Sequence, residues 1–138
     1  MSKFINCYAA AEVLQGAVYA VNHLHSMLKI IHKHGGEPSN LLGGLIEHTL
    51  LETSDKLQGM SDDQYFLNDE PNTIGKKLLN ASSNLSTIMT YFNAINELAH
   101  VEKSSNLVAE LSKSSYNLAE NTCKIICGTA RNYLEVNK

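Results

Sequence analysis

The chain has 138 residues, 43% of them hydrophobic and 18% charged, with 11 basic against 14 acidic side chains and a formal net charge of −3. That length suits one compact domain with a core large enough to fold without staples, and the high apolar content with small net charge excludes a disordered chain. The acidic balance argues against a nucleic-acid-coating protein, while the shortfall from the usual charged fraction of about 25% is filled by 14 Asn and 13 Ser.

Along the chain the repeating signal is helical. From Met1 to Leu14 there is one Lys, then Glu12, with no uninterrupted apolar core, so no signal peptide is read. The first helix is predicted over Lys3 to Lys33. Its seam is Cys7, Ala10, Leu14, Ala17, Val21, Leu24, Leu28 and Ile31, alternating steps of 3 and 4 in a coiled-coil-like heptad. Val13, Ala20 and Met27 widen it. Gly35 and Gly36 supply the stop. Asn6, Glu12, Gln15, Asn22, His23 and His25 make this stretch too polar to cross a bilayer.

A second helix is predicted over Asn40 to Gln58, capped by Ser39 or Asn40. Its stripe is Leu42, Leu45, Ile46, Leu50, Thr53 and Leu57. Gly43 and Gly44 weaken its first turn or allow close backbone approach. Ser61-Asp62-Asp63-Gln64 has capping-box spacing, which predicts a short helix to Leu67, followed by a turn around Pro71.

The third helix, Thr73 to Lys103, has the seam Ile74, Leu78, Ala81, Leu85, Ile88, Phe92, Ile95 and Ala99. Its phase is lost at Lys103-Ser104-Ser105-Asn106, where a turn is predicted; one very long bent helix is the rival. The fourth helix, Leu107 to Glu135, has a looser stripe of Leu111, Leu118, Thr122, Ile125, Ile126, Ala130 and Tyr133, with Gly128 marking a tight crossing. Segments of about 30 residues span roughly 45 Å and pack best as an antiparallel up-down-up-down four-helix bundle in a single domain over 1–138.

Few residues are arranged for chemistry. The histidines of the first helix, His23, His25, His32 and His34, are spaced 2, 7 and 2 apart, whereas chelation on one helix wants three or four. The bundle brings His32, His34 and His100 to one end, where the plainer reading is polar residues near helix ends. Glu97-Leu98-Ala99-His100 has the E-x-x-H spacing of di-iron bundles, but only one copy is present and those sites need two. Cys123 and Cys127 are four apart, with Cys7 placed at the same end; buried free cysteines are the simpler reading, and no fourth zinc ligand is predicted there. No metal or cofactor is therefore assigned. Three cysteines form no secreted disulfide framework, which favours a cytoplasmic setting, though secretion without a cleaved signal fits equally.

His48-Thr49-Leu50 resembles the phospho-accepting stretch of histidine phosphotransfer domains over those few residues only. Leu51 and Glu52 stand where that family has basic and glycine positions, and a carboxylate beside an incoming phosphoryl group has the wrong sign. An enzyme would have to use His48 with Glu52 as an acid–base pair, and a surface salt bridge explains that spacing more simply. There is no phosphate loop and no nucleophile elbow, and Arg131 is the only arginine, so guanidinium recognition of phosphate is nearly absent.

The charge deficit is concentrated in the first helix. From Phe4 to Leu28 the only charged residue is Glu12. Tyr8, Glu12, Gln15, Tyr19, Asn22, His23 and Ser26 fall opposite the seam, a composition closer to a protein interface than to a solvated face. The other reading is a central helix whose polar groups are satisfied internally. Tyr8, Gln15, Tyr19, Asn22 and His23 are the candidate interface of a non-enzymatic interaction module (adaptor, chaperone, inhibitor or immunity type), with a homodimer through the first helix its simplest version. The alternative is a small-ligand or metal sensor using Tyr and His between helices.

Overall fold

The computed structural model describes residues 8–34, 37–62, 64–102 and 106–135. It is all-helical: α1 (Tyr8–His34), α2 (Glu37–Met60), α3 (Pro71–Glu102) and α4 (Asn106–Glu135), with no strand among the described residues. Each helix packs on two others, α1 on α2 and α4, α3 on α2 and α4, the helix contacts of a bundle. α3 and α4 are separate helices with the most extensive contact of the four, so the single long bent helix is not formed.

Two seams are buried as their periodicity predicts. Ala10, Leu14, Ala17, Val21, Leu24, Leu28 and Ile31 are all buried on α1; Cys7 lies outside the described residues. All eight seam residues of α3, from Ile74 to Ala99, are buried. Both helices present only apolar side chains at these positions, so burial of the stripe follows from hydrophobic transfer alone.

The other two helices depart from expectation. On α2, Ile46, Leu50, Thr53 and Leu57 are buried but Leu45 is 59% exposed, because the adjacent Ile46 takes the inward position one residue on. On α4 the buried line is Val108, Ser112, Ser115, Ala119, Thr122, Ile126, Ala130 and Tyr133, while Ile125 is exposed and Leu111 and Leu118 are half-buried. Two serines occupy core positions there. Ser112 Oγ donates to the Ala109 carbonyl at 3.0 Å and accepts from Asn96 Nδ2 at 3.3 Å. Ser115 Oγ reaches Met27 Sδ at 3.5 Å. Hydroxyls satisfied in this way can be buried without the cost of an orphan polar group.

The short helix expected from Ser61 to Leu67 is not formed. Asp62 Oδ1 accepts from the Gln64 amide at 2.8 Å, and three tight turns follow: Tyr65 N to Asp62 O at 3.0 Å, Leu67 N to Gln64 O at 3.3 Å and Asp69 N to Phe66 O at 3.1 Å. The Asp side chain competes for the backbone and diverts it from a helix. The turns place Phe66 in the core, edge-on to Tyr65 at 4.8 Å. Lys77 Nζ of α3 binds Asp69 Oδ2 at 2.7 Å and lies 4.7 Å from the Tyr65 ring, fastening the segment to the bundle.

The helix ends follow proline chemistry. α2 starts at Glu37, so Ser39 and Asn40 stand within its first turn rather than ahead of it. Pro38 and Pro71 both lie in first turns, where a missing amide breaks no intrahelical bond. The expected stops at Gly35-Gly36 and at Lys103-Ser104-Ser105 lie outside the described residues.

Three glycines separate the close approaches from the open positions. A Cβ on Gly43 would sit 2.9 Å from His32 Nε2, and one on Gly75 2.6 Å from Leu134 Cγ and 3.1 Å from the Ala130 carbonyl oxygen. Gly128 is exposed and meets nothing within 4 Å, so it marks no tight crossing. In three of the four neighbouring pairs, the contacts given by hydrogen bonds and close approaches join late residues of one helix with early residues of the other. Ala10 meets Tyr133 and Met27 meets Ser115; Asn22 meets Ser54 and His32 meets Gly43; Ser82 meets Cys123 and Asn96 meets Ala109.

Candidate interaction face on the first helix

The α1 seam buries one side of a long helix and turns the opposite side outward. Tyr8, Gln15, Tyr19, Asn22 and His23 are all exposed, Tyr19 to 76%. Glu12 stands on the same side of the helix as its only formally charged residue from Tyr8 to Leu28, and it forms no ion pair within the described residues.

The face has two flanks, and Tyr19 borders a recess on each. Toward α2, Asn22 Oδ1 accepts from Ser54 Oγ at 3.4 Å, and Gln15 Nε2 donates to the Ser61 carbonyl at 3.4 Å. These two amides thus have partners inside the chain while staying exposed. Toward α4, Tyr19 and His23 stand beside an open groove of about 500 Å³. Its α1 wall is Val13, Gly16, Ala17 and Ala20; its α4 wall is Leu118, Thr122 and Ile125. The small α1 residues keep the floor low, and a Cβ on Gly16 would meet nothing within 4 Å. Ile125 is 59% exposed. Gly16 and Ile125 were missed by sequence reasoning because the groove depends on how α4 lies beside α1.

The remaining candidates are dispersed. His32 stacks over Gly43 of α2, His34 is exposed, and His100 lines a polar cleft of about 520 Å³ between α3 and α4 with Asn93, Asn96, Lys113 and Tyr116. Among the described residues, no three His, Cys, Asp or Glu side chains are grouped to hold a metal ion. His48 Nε2 and Glu52 Oε1 are 2.9 Å apart, with side chains 75% and 69% exposed, the geometry of a surface pair. His25 Nε2 is buried 3.8 Å from Glu47 Oε1 without a hydrogen bond.

Cys123 and Cys127 are free thiols, both half-buried. Cys123 Sγ lies 3.6 Å from the Ser82 carbonyl. Burial, with the neighbouring Cys127 adding to it, pushes the Cys123 thiol above its ordinary range. Whether Cys7 joins them lies outside the described residues.

No described helix is long and apolar enough to cross a membrane. No protein-family model, curated protein or solved structure matches this chain, so the face and its groove are characterised by their own chemistry.

Proposed function

We propose that this chain is a non-enzymatic protein-interaction module, of adaptor, chaperone, inhibitor or immunity type. It docks another protein, or a second copy of itself, through the uncharged polar face of α1. The carrying observation is the outward exposure of Tyr8, Gln15, Tyr19, Asn22 and His23 on a helix with one charge between Phe4 and Leu28. A face kept in water ordinarily carries Lys and Glu; interface cores are depleted in both and enriched in Tyr. The frame behind the face is an antiparallel up-down-up-down bundle with heptad seams. The pairing of late with early residues between neighbouring helices and the 3- and 4-residue steps of the buried lines support that topology. The cysteine usage favours a cytoplasmic setting and the acidic balance a partner other than nucleic acid.

A photo-crosslinking amino acid placed at Tyr19, in cells expressing the chain, tests this. The expected result is a discrete adduct of defined mass that is absent when the crosslinker stands at exposed Lys56. Equal labelling from both positions overturns the proposal. The groove beside Tyr19 and His23 favours a second reading, a sensor for a small apolar ligand. That reading requires a small molecule that raises the melting temperature of the wild type and not of Ala20→Phe.

A further inference from the structure

We infer that the α1 face pairs with the same face of a second copy of this chain. The helices run antiparallel, in a register that sets Tyr19 of one copy against Gly16 of the other and Glu12 against His23. This rests on reading the face as an interface, and it names the occupant. Glu12, Gly16, Tyr19 and His23 follow one another at steps of 4, 3 and 4, which confines them to about 60° of arc. They form a second seam on the side of α1 turned away from the bundle core.

Two features select the register. Glu12 with His23, and Gly16 with Tyr19, are both centred on the point between Ala17 and Val18. A twofold axis at that point therefore brings both pairs level at once. At Gly16 there is room for a knob: no atom lies within 4 Å of a Cβ built there, and the groove of about 500 Å³ opens beside it. Tyr19, 76% exposed, is the knob that fills the open space at the other copy's Gly16.

Charge selects the direction. Neither Glu12 nor His23 has a charged partner among the described residues. A parallel pairing would oppose Glu12 to Glu12; the antiparallel one gives each carboxylate an imidazole N–H. The contact is the same patch used twice, so it closes at two copies and does not propagate.

Sedimentation equilibrium on the full chain tests the pairing. The wild type is expected to dimerise. Gly16→Leu is expected to remain folded by circular dichroism, since the added side chain starts in open space, and to be monomeric. His23→Glu alone is expected to weaken the dimer about tenfold, and Glu12→Lys added to it to restore the wild-type constant by re-forming the two pairs with reversed polarity. A wild type monomeric at about 100 µM, a dimer indifferent to Gly16→Leu, or a double variant no tighter than His23→Glu would each overturn the inference. A monomer that still crosslinks another protein from position 19 overturns the self-pairing alone; a monomer with no adduct overturns the interaction module with it.

Discussion

Tyr133 reaches across from α4 to bind the backbone of α1: its hydroxyl accepts from the Ala10 amide at 3.0 Å, and both residues are buried. Tyr133→Phe keeps the ring and removes the acceptor. The buried Ala10 N–H then loses this acceptor, a loss of about 1–3 kcal/mol. Taking about 2 kcal/mol, and about 3–5 °C per kcal/mol for a domain of this size, the melting temperature falls by about 6–10 °C. Scanning calorimetry measures this, and hydrogen exchange localises it, with the Ala10 amide losing protection most. Tyr91→Phe is the control: Tyr91 is half-buried with no hydrogen bond among the described residues, and its loss of a hydroxyl should move the melting point by less than about 1 °C. A Tyr133→Phe variant that melts with the wild type and keeps Ala10 protected refutes the reasoning.

Gly75→Ala and Gly16→Ala make the same chemical change with opposite expected signs. At Gly75 the new Cβ meets Leu134 at 2.6 Å and the Ala130 carbonyl at 3.1 Å, so overpacking of about 1–3 kcal/mol outweighs the helix gain; at Gly16, where a Cβ meets nothing of its own chain within 4 Å, the gain of about 0.5–1 kcal/mol stands alone when the chain is diluted to the monomer. Thermal melts that place both variants on the same side of wild type contradict this. Asn96→Ala removes donations to the Ala109 carbonyl at 2.8 Å and to Ser112 Oγ at 3.3 Å; it should lower the urea midpoint, by about 1–2 kcal/mol of stability, with an unchanged slope. Alkaline pH should destabilise the fold. Burial raises the Cys123 thiol from its ordinary 9.0, and the Asp69 hydrogen bond raises the Lys77 ammonium from 10.5. A group held protonated by the fold contributes in full below its unfolded pKa, and that contribution is lost as pH rises through the folded one. The melting temperature is therefore level near neutrality and falls from about pH 9, and Cys123→Ala moves the onset upward; an onset unmoved by that substitution removes Cys123 from the account.

The seams of α1 and α3 were legible because every position in them is apolar and the period is unbroken. α4 was legible only in part: the buried line runs through Ser112 and Ser115, while apolar Ile125 lies outside it. A hydrophobic pattern cannot rank a serine above an isoleucine when the serine's hydroxyl finds its partners in the fold. Asp62 posed a similar problem, since capping-box spacing does not reveal whether an Asp opens a helix or a chain of turns. For the candidate face, residue choice along α1 located the exposed side. It could not show that Asn22 and Gln15 lean on α2 while Tyr19 and His23 border a groove with α4. That division is set by the lateral placement of neighbours, which no single helix encodes.

The uneven contact around the bundle has a kinetic consequence. α3 and α4, adjacent in the chain, share the most extensive contact, and α2 with α3 the slightest of the four. Closing the α3–α4 pair costs little loop entropy, because few residues separate the two helices, and contacts near in sequence form early. The second half of the chain is thus the natural nucleus, onto which α1 and α2 dock. Run in reverse, the α3–α4 pair is the last to open, so the groove, one wall of which stands on α4, is lost when α1 leaves while the second half of the chain is still folded.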